Sequence, residues 1–338
     1  MRFHLEVRAW RGPILESRHR VQAAVCAADG RLEAGTERAD LVTTFRSSAK
    51  PFQLLPLVER GYADRWSLSD EHLAIMAASH TGSAYHVGLV REILGRLGLT
   101  ERHLACGFHE PLDAASAAAL QADPGARTAL YNNCSGKHAG MLALALAEDW
   151  PVAGYQRAEH PLQQLMRRTV AEVCGLAPER LAVATDGCSA SVFGLPLASM
   201  ARAYASLAAA EPGGSPRERV LYRIRSAMAA YPMAVGGEGR FSTLLMQRTG
   251  GRMIAKGGAE GLECVALPAR KLGLAIKCED GHARAQAPAT LALLELLGEL
   301  SADELAGLGD ARRPVVKNHA GLEVGLLEAV VEVLGPSN

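Results

Sequence analysis

The chain has 338 residues, 49% of them hydrophobic, and its 36 Lys and Arg balance its 36 Asp and Glu. This length allows one large domain or two lobes, and without a basic excess or a Lys/Arg stripe a nucleic-acid partner is not expected. No apolar run approaches the roughly 20 residues of a membrane helix, and charges interrupt the N-terminal segment, so we expect neither a membrane span nor a signal peptide. With seven scattered cysteines, a cytoplasmic protein is predicted.

Strand patterns fill the first 45 residues. Asp29-Gly30 lies between two apolar stretches, which predicts a hairpin turn. The β-branched run LVTTF (41–45) leads into FRSSAKPFQ (45–53), where apolar residues begin to recur at helical spacing. Pro51 suits a first helical turn, because its missing N–H would have no partner there. The two serines, Ser47 and Ser48, therefore lie at a predicted strand-to-helix junction.

Helical patterns rich in Ala and Leu dominate residues 70–210, including SVFGLPLASMARAYASLAAAE (191–211), and another helix is predicted over 218–231. Strands then return. STLLMQ (242–247) and RMIAKGG (252–258) are predicted as a hairpin across a Gly-Gly turn, ECVALP and KLGLAIKCED continue the sheet, and APATLALLELLGEL forms a late helix.

This order of elements predicts an α+β fold. Its antiparallel central sheet comes from both chain ends and is flanked by helices, with a helical region inserted. We interpret residues 1–338 as a single catalytic domain with two lobes. The β-rich lobe covers about 1–60 and 235–338, and the helical lobe covers about 61–234.

Ser47-x-x-Lys50 has the spacing of two side chains on one helical face. A serine nucleophile needs a base, and lysine serves if burial or a neighbouring cation lowers its pKa. The free N–H groups of a helix start can also stabilise an oxyanion. The alternative is an ordinary helix start, capped by a serine, with a solvated Lys50.

Two further segments extend this pattern. AASHTGS (77–83) ends an apolar helix with Ser79, and IAKGGAEG (254–261) brings Lys256 to glycines that permit close approach of a ligand. The order Ser-x-x-Lys, loop serine, Lys-Gly-Gly is similar to S-x-x-K, S-x-N, K-T-G of serine β-lactamases and penicillin-binding proteins. The alternatives are a plain helix C-terminus and a solvated strand-end lysine.

Two cysteines precede predicted helices, in YNNCSGKHAG (131–140) and TDGCS (185–189). Cys134, Cys188, His138 and Asp186 could complete a tetrahedral zinc site. The alternative is two buried thiols with Asp186 as a helix cap, because no C-x-x-C or H-x-x-x-H spacing is present.

Taken together, these segments resemble the Rhizobium etli type of inducible L-asparaginase. The matching stretches run in family order over nearly the whole chain: RGPILESRH (11–19), FRSSAKPFQ (45–53), ASHTGS (78–83), CGFHEP (106–111), YNNCSGKHAGML (131–142), ATDGCSASVFGLPL (184–197), YPMAVGGEGRF (231–241) and IAKGGAEG (254–261).

The resemblance implies a fold similar to serine β-lactamases and bacterial glutaminases. It also implies a homodimer that hydrolyses L-asparagine to L-aspartate and ammonia through an acyl-enzyme. Two Ser–Lys pairs are implied, Ser47 with Lys50 and Ser79 with Lys256. In the mechanism we expect, Ser47 attacks, Lys50 takes its proton, and Arg46 and Lys256 help to keep Lys50 neutral.

A zinc ion that is not itself catalytic is also implied, at Cys134, Lys137 and Cys188, with Asp186 and His138 around these ligands. Lysine is an unusual ligand, because only its neutral amine can bind a metal. We assign substrate contacts to residues of the same segments: Arg46, His80, Thr81, Asn133 and Gly258.

Three rival functions stay open on the sequence. A glutaminase differs by one methylene in its substrate, a β-lactamase-like hydrolase shares the motif order, and a non-enzymatic zinc-binding protein would use only the cysteine segments.

Overall fold

The structure is a computed structural model that describes residues 1–335, within which the chain forms eleven strands and fifteen α-helices. The strands are β1 (Arg2–Arg11), β2 (Ile14–Ala27), β3 (Leu32–Gly35), β4 (Val42–Thr44), β5 (Ala182–Thr185), β6 (Ser191–Pro196), β7 (Ile254–Gly258), β8 (Leu262–Leu267), β9 (Leu272–Cys278), β10 (Val315–Lys317) and β11 (Glu323–Leu334).

The helices are α1 (Lys50–Gln53), α2 (Leu55–Glu59), α3 (Tyr62–Arg65), α4 (Asp70–Met76), α5 (Ala84–Arg96), α6 (Ala114–Ala122), α7 (Ser135–Ala147), α8 (Pro161–Val173), α9 (Leu197–Ala209), α10 (Pro216–Ala230), α11 (Pro232–Val235), α12 (Phe241–Arg248), α13 (Gln286–Leu296), α14 (Ala302–Gly307) and α15 (Gly309–Arg312). None of the helices in residues 1–335 combines the length and apolarity that crossing a membrane requires.

Eight strands form the main sheet, in the order β10-β11-β1-β3-β2-β9-β8-β7. Its pairings are antiparallel apart from one parallel contact between β1 and β3, and they join strands from both chain ends. The predicted α+β fold with such a sheet is confirmed. The Asp29-Gly30 hairpin is also present: β2 pairs with β3, and Gly30 has the φ of +93° that such a turn needs.

Two predicted elements are wrong. SVFGLP (191–196), predicted as helix, forms β6 and pairs with β5. STLLMQ, predicted as a strand, belongs to α12, and the Gly-Gly after it ends that helix: the N–H of Gly251, at φ +76°, donates to the Met246 carbonyl. The hairpin partner of β7 is β8 instead.

The chain divides into two compact units. The sheet unit comprises Met1–Thr43, Leu195–Ala209 and the described residues from Leu244 onward. Within it, α9 and α13 pack on the main sheet, and every residue of β9 is buried, so both faces of that strand are covered.

The helical unit comprises Thr44–Gly194 and Ala210–Thr243. Its helix α4 packs against α5, α7, α10 and α11. Gly136 permits one of these contacts, because a Cβ there would lie 2.2 Å from the Ile75 carbonyl oxygen. The close approach joins the end of α4, which leads to Ser79, to the start of α7, which follows Cys134.

Candidate active site

The segment FRSSAKPFQ makes a sharp turn between a strand and a helix. After β4, the Phe45 N–H donates to the Phe193 carbonyl (2.8 Å), and a 3-10 turn, Arg46–Ala49, runs directly into α1. Arg46 has a φ of +42°, a conformation that non-glycine residues adopt at a cost of roughly 1–3 kcal/mol. No side chain caps either helical segment, so the helix start is present but the serines do not cap it.

The two serines of this turn differ in accessibility. Ser48 is fully buried, whereas Ser47 is partly exposed. Ser47 also lines a small cavity together with Lys50 and Lys137. Within residues 1–335 its hydroxyl makes no hydrogen bond. Of the two, Ser47 is therefore the serine whose hydroxyl is available to a bound molecule.

Lys50 is buried, with its amino group inside a cage of oxygens. Its Nζ donates to Ser79 Oγ (3.0 Å), to the Asn133 carbonyl (3.3 Å) and to the Ala78 carbonyl. Burial lowers the pKa of Lys50; the Cys134 thiol acts against this shift and the charge of Lys137 acts with it. The structure thus joins Lys50 directly to Ser79, and it places Ser47 in the wall of the same cavity.

The two cysteine segments meet beside Lys50. Lys137 Nζ donates to Cys188 Sγ (3.0 Å), and the thiols of Cys134 and Cys188 share a hydrogen bond. The bond from Cys134, helped by the Lys137 charge and opposed by burial, lowers the pKa of Cys188 to about 4. The same bond and burial raise the pKa of Cys134 to about 12. Although burial lowers the pKa of Lys137, the neighbouring sulfurs of Cys188 and Cys134 raise it overall.

This cluster has the chemistry of a metal site with three ligands. Two sulfurs and an amine suit a thiophilic ion such as zinc, provided that Lys137 releases its proton. Among residues 1–335 no group of three or more His, Cys, Asp and Glu side chains is arranged to hold a metal. A metal bound here would therefore depend on Lys137 as its third ligand.

Arg46 and Asp186 form an ion pair beside the cluster, with Arg46 Nε 3.0 Å from Asp186 Oδ1. Both residues line the cavity that contains Ser47. The Asp186 charge also raises the pKa of Lys137. Arg46 and Asp186 therefore link the serine turn to the cysteine cluster.

Several predicted residues make hydrogen bonds or close polar contacts within the helical unit. The Asn133 carbonyl accepts from Lys50, and its side-chain oxygen accepts from the Cys134 thiol. His138 is fully buried, with Nδ1 2.6 Å from the Tyr155 hydroxyl. Thr81 Oγ1 lies 3.5 Å from His86 Nδ1. These contacts are internal, so they show how the site is built and not what binds there.

Lys256 and Gly258 lie in β7 of the sheet unit. Lys256 is buried, and its Nζ donates to the neighbouring Gly257 carbonyl (2.6 Å). In the pairing of β7 with β8, Lys256 lies opposite Cys264 and Gly258 lies opposite Leu262. The alternative of a solvated strand-end lysine does not hold, because Lys256 is 2% exposed. The catalytic role of Lys256 and the substrate contact of Gly258 stay predictions.

The family model for L-asparaginase II matches residues 7–329. The chain belongs to the L-asparaginase II family. No curated protein matches the sequence.

Solved structures show distant likeness to this L-asparaginase II chain. Mglu, in its native form in 4.3 M NaCl, is 18% identical with a TM-score of 0.46 over 85% of this chain and 63% of Mglu. A β-lactamase from Mycobacterium bovis is 14% identical, with a TM-score of 0.38, over 86% of this chain and 95% of the β-lactamase. A putative β-lactamase from Bacteroides dorei is 12% identical, with a TM-score of 0.42, over 87% of this chain and 93% of the Bacteroides protein. The chain thus spans less than two thirds of the length of Mglu.

Sequence reasoning missed two polar residues of this candidate site. Asn132 accepts from the Cys134 N–H and donates to the Cys106 and Gly107 carbonyls, which fixes the turn before α7. Gln53 lines the cavity of Ser47, next to Lys50. The signal for Gln53 was available, because it lies three residues after Lys50 on the same helical face.

Proposed function

We propose that the protein hydrolyses the side-chain amide of L-asparagine to L-aspartate and ammonia through an acyl-enzyme on Ser47. Membership in the L-asparaginase II family over residues 7–329 carries this proposal. The free hydroxyl of Ser47, beside the buried amine of Lys50, supports the choice of nucleophile.

In the proposed reaction, Ser47 Oγ forms a bond to the amide carbon and gives up its proton to the neutral amine of Lys50. The carbon–nitrogen bond then breaks, and the proton leaves with ammonia. Water hydrolyses the resulting ester, which releases aspartate and restores Ser47. The Ser47 N–H has no intrahelical partner at the start of its turn, so it is available to the oxyanion. Ser79, bonded to Lys50, can pass a proton to the leaving group.

A coupled ammonia assay on L-asparagine and L-glutamine tests this proposal, with nitrocefin hydrolysis as the third arm. We expect ammonia from asparagine at a higher kcat/KM than from glutamine. Faster release from glutamine would make the protein a glutaminase, and nitrocefin turnover without ammonia would make it a β-lactamase-like hydrolase. Metal binding without turnover of any of the three substrates would favour a non-enzymatic zinc-binding protein.

Ser47→Ala and Ser48→Ala form a matched pair for the nucleophile. Removing a nucleophile costs several orders of magnitude in kcat, so we expect Ser47→Ala to be inactive. Ser48→Ala should retain activity, since its hydroxyl is buried away from the cavity. Mass spectrometry of the quenched enzyme should detect acylation only where Ser47 is present. Full activity of Ser47→Ala contradicts the assignment.

We also propose that Cys134, Lys137 and Cys188 hold zinc, with Asp186 and His138 around these ligands. Such an ion would supply positive charge that keeps the two thiolates in place beside the substrate cavity. Lys137→Met removes the third ligand at similar size. We expect purified Lys137→Met to contain far less zinc than the parent by elemental analysis. Equal metal content in both proteins argues against Lys137 as a ligand.

Three family expectations complete the proposal. A role of Lys256 in proton transfer predicts that Lys256→Met loses kcat while it keeps its melting temperature. A homodimer predicts twice the chain mass by light scattering, and a monomer mass excludes it. Cytoplasmic location predicts that activity stays with the cytoplasmic fraction when the cells are fractionated.

A further inference from the structure

The oxygen cage around Lys50 is assembled from two separate segments of the helical unit. Ala78 and Ser79 supply two of its oxygens, and Asn133 supplies the third. More than fifty residues of chain separate the two segments. The cage therefore keeps its shape only if something fixes one segment against the other.

His80 makes that connection. Its backbone N–H donates to the same Asn133 carbonyl that Lys50 uses (3.3 Å). Its ring Nε2 lies 2.9 Å from Ser135 Oγ, and its Nδ1 accepts from the Gly82 N–H (3.1 Å). One imidazole thus joins the Ser79 loop to the start of α7.

The hydrogen bonds of Ser135 settle which ring nitrogen carries the proton. The Ser135 hydroxyl donates its only proton to the Leu130 carbonyl (2.9 Å), so its oxygen must accept from His80 Nε2–H. The Gly82 N–H in turn requires a lone pair on Nδ1. Both nitrogens of a neutral imidazole are satisfied, and no ring hydrogen-bonding position is left for a ligand.

Burial leads to the same conclusion. His80 is 0% exposed, and its ring stacks on His86 with centroids 5.0 Å apart. Burial, together with the charges of neighbouring groups, holds the pKa of His80 well below its usual value. The direct substrate contact predicted for His80 therefore has no geometric support.

We propose that His80 is a positioning residue, which acts through Ser135 and Asn133 to hold the Lys50 cage in its reactive geometry. This inference rests on the proposed function, because it assigns Lys50 to the reaction. The ring makes no contact with substrate in this proposal. Its effect reaches the chemistry only through the placement of Ser79 and Asn133 around the amine.

Variants that break the hydrogen bond between His80 and Ser135 should lower kcat and leave KM unchanged. Misplacement of a reacting group by about 1 Å can cost a factor of roughly 100. We therefore expect roughly 10- to 100-fold lower kcat in Ser135→Ala, which removes the acceptor without changing the ring. His80→Phe should behave similarly, and His80→Gln, which keeps a donor at the ε position, should recover much of the loss. Ser135→Ala added to His80→Phe should cost little more, since both act on one contact.

His72→Gln is the matched control. His72 is also buried in the helical unit and bonds to Ser69, but it does not touch the cage. It should lower stability and leave kcat unchanged. Wild-type kcat in both Ser135→Ala and His80→Phe overturns the proposal, and so does an equal loss in His72→Gln at matched melting temperature.

A second measurement does not depend on activity. By hydrogen–deuterium exchange, peptides covering residues 78–83 and 131–136 should exchange faster in Ser135→Ala and His80→Phe than in the parent and the His72→Gln control. Unchanged exchange in both peptides overturns the proposed positioning role of His80. If the parent releases no ammonia from either amide, the proposed function fails, while the exchange result still decides whether His80 holds the two segments together.

Discussion

Gly136→Ala perturbs the contact between α7 and α4 on which the candidate site depends. A Cβ at this position would lie 2.2 Å from the Ile75 carbonyl oxygen. Because Cβ contacts under 3.0 Å essentially never occur, the two helices must move apart by about 0.8 Å. The neighbour is backbone and cannot rotate away. Gly88→Ala is the matched control, because Gly88 lies inside α5 with nothing within 4 Å of an added Cβ.

The two changes should shift stability in opposite directions. Alanine improves helix propensity by about 1 kcal/mol at either position, but overpacking costs typically 1–3 kcal/mol, occasionally more. We expect Gly136→Ala to lose up to about 2 kcal/mol of unfolding free energy and Gly88→Ala to gain up to about 1 kcal/mol. With an unfolding entropy of about 2.1 cal/mol/K per residue, the loss lowers the melting temperature by roughly 3 °C.

Thermal melts followed by circular dichroism measure both variants under one condition. Gly136→Ala should also lose ammonia release, because Cys134 and Lys137 move with the start of α7. If Gly136→Ala melts at or above Gly88→Ala, the close approach of the two helices is not as described. If it melts lower but keeps full activity, the start of α7 does not shape the site.

Two further predictions concern buried polar groups. In metal-free protein the lowered pKa of Cys188 means that its thiolate is present above about pH 4 and is lost as the pH falls through that value. The ultraviolet absorbance of this thiolate at neutral pH should therefore vanish in Cys188→Ser. It should persist in the control Cys278→Ser, because burial raises the pKa of the Cys278 thiol to about 12. Tyr155→Phe leaves His138 Nδ1 and a backbone N–H without a partner, so urea denaturation should show a loss of roughly 1–3 kcal/mol; unchanged stability contradicts that network.

The sequence predicted several local backbone features well. Asp29-Gly30, the turn at FRSSAKPFQ and the helix after Cys134 follow from residues next to one another, because turn chemistry and helical spacing are local properties. The two failures are of another kind. Ser191–Pro196 is an apolar run whose strand conformation depends on pairing with Ala182–Thr185, which sequence periodicity cannot register.

The sequence by itself determined the family, the mixed α+β fold and the segments that carry serine, lysine and thiol side chains. Only the tertiary structure decided that Lys50 donates to Ser79, that Ser47 is accessible while Ser48 is buried, and that His80 bonds to Ser135 and lies away from solvent. The physical reason is that these partners are 29 and 55 residues apart along the chain. Their contacts arise from the packing of whole helices, which no local pattern encodes.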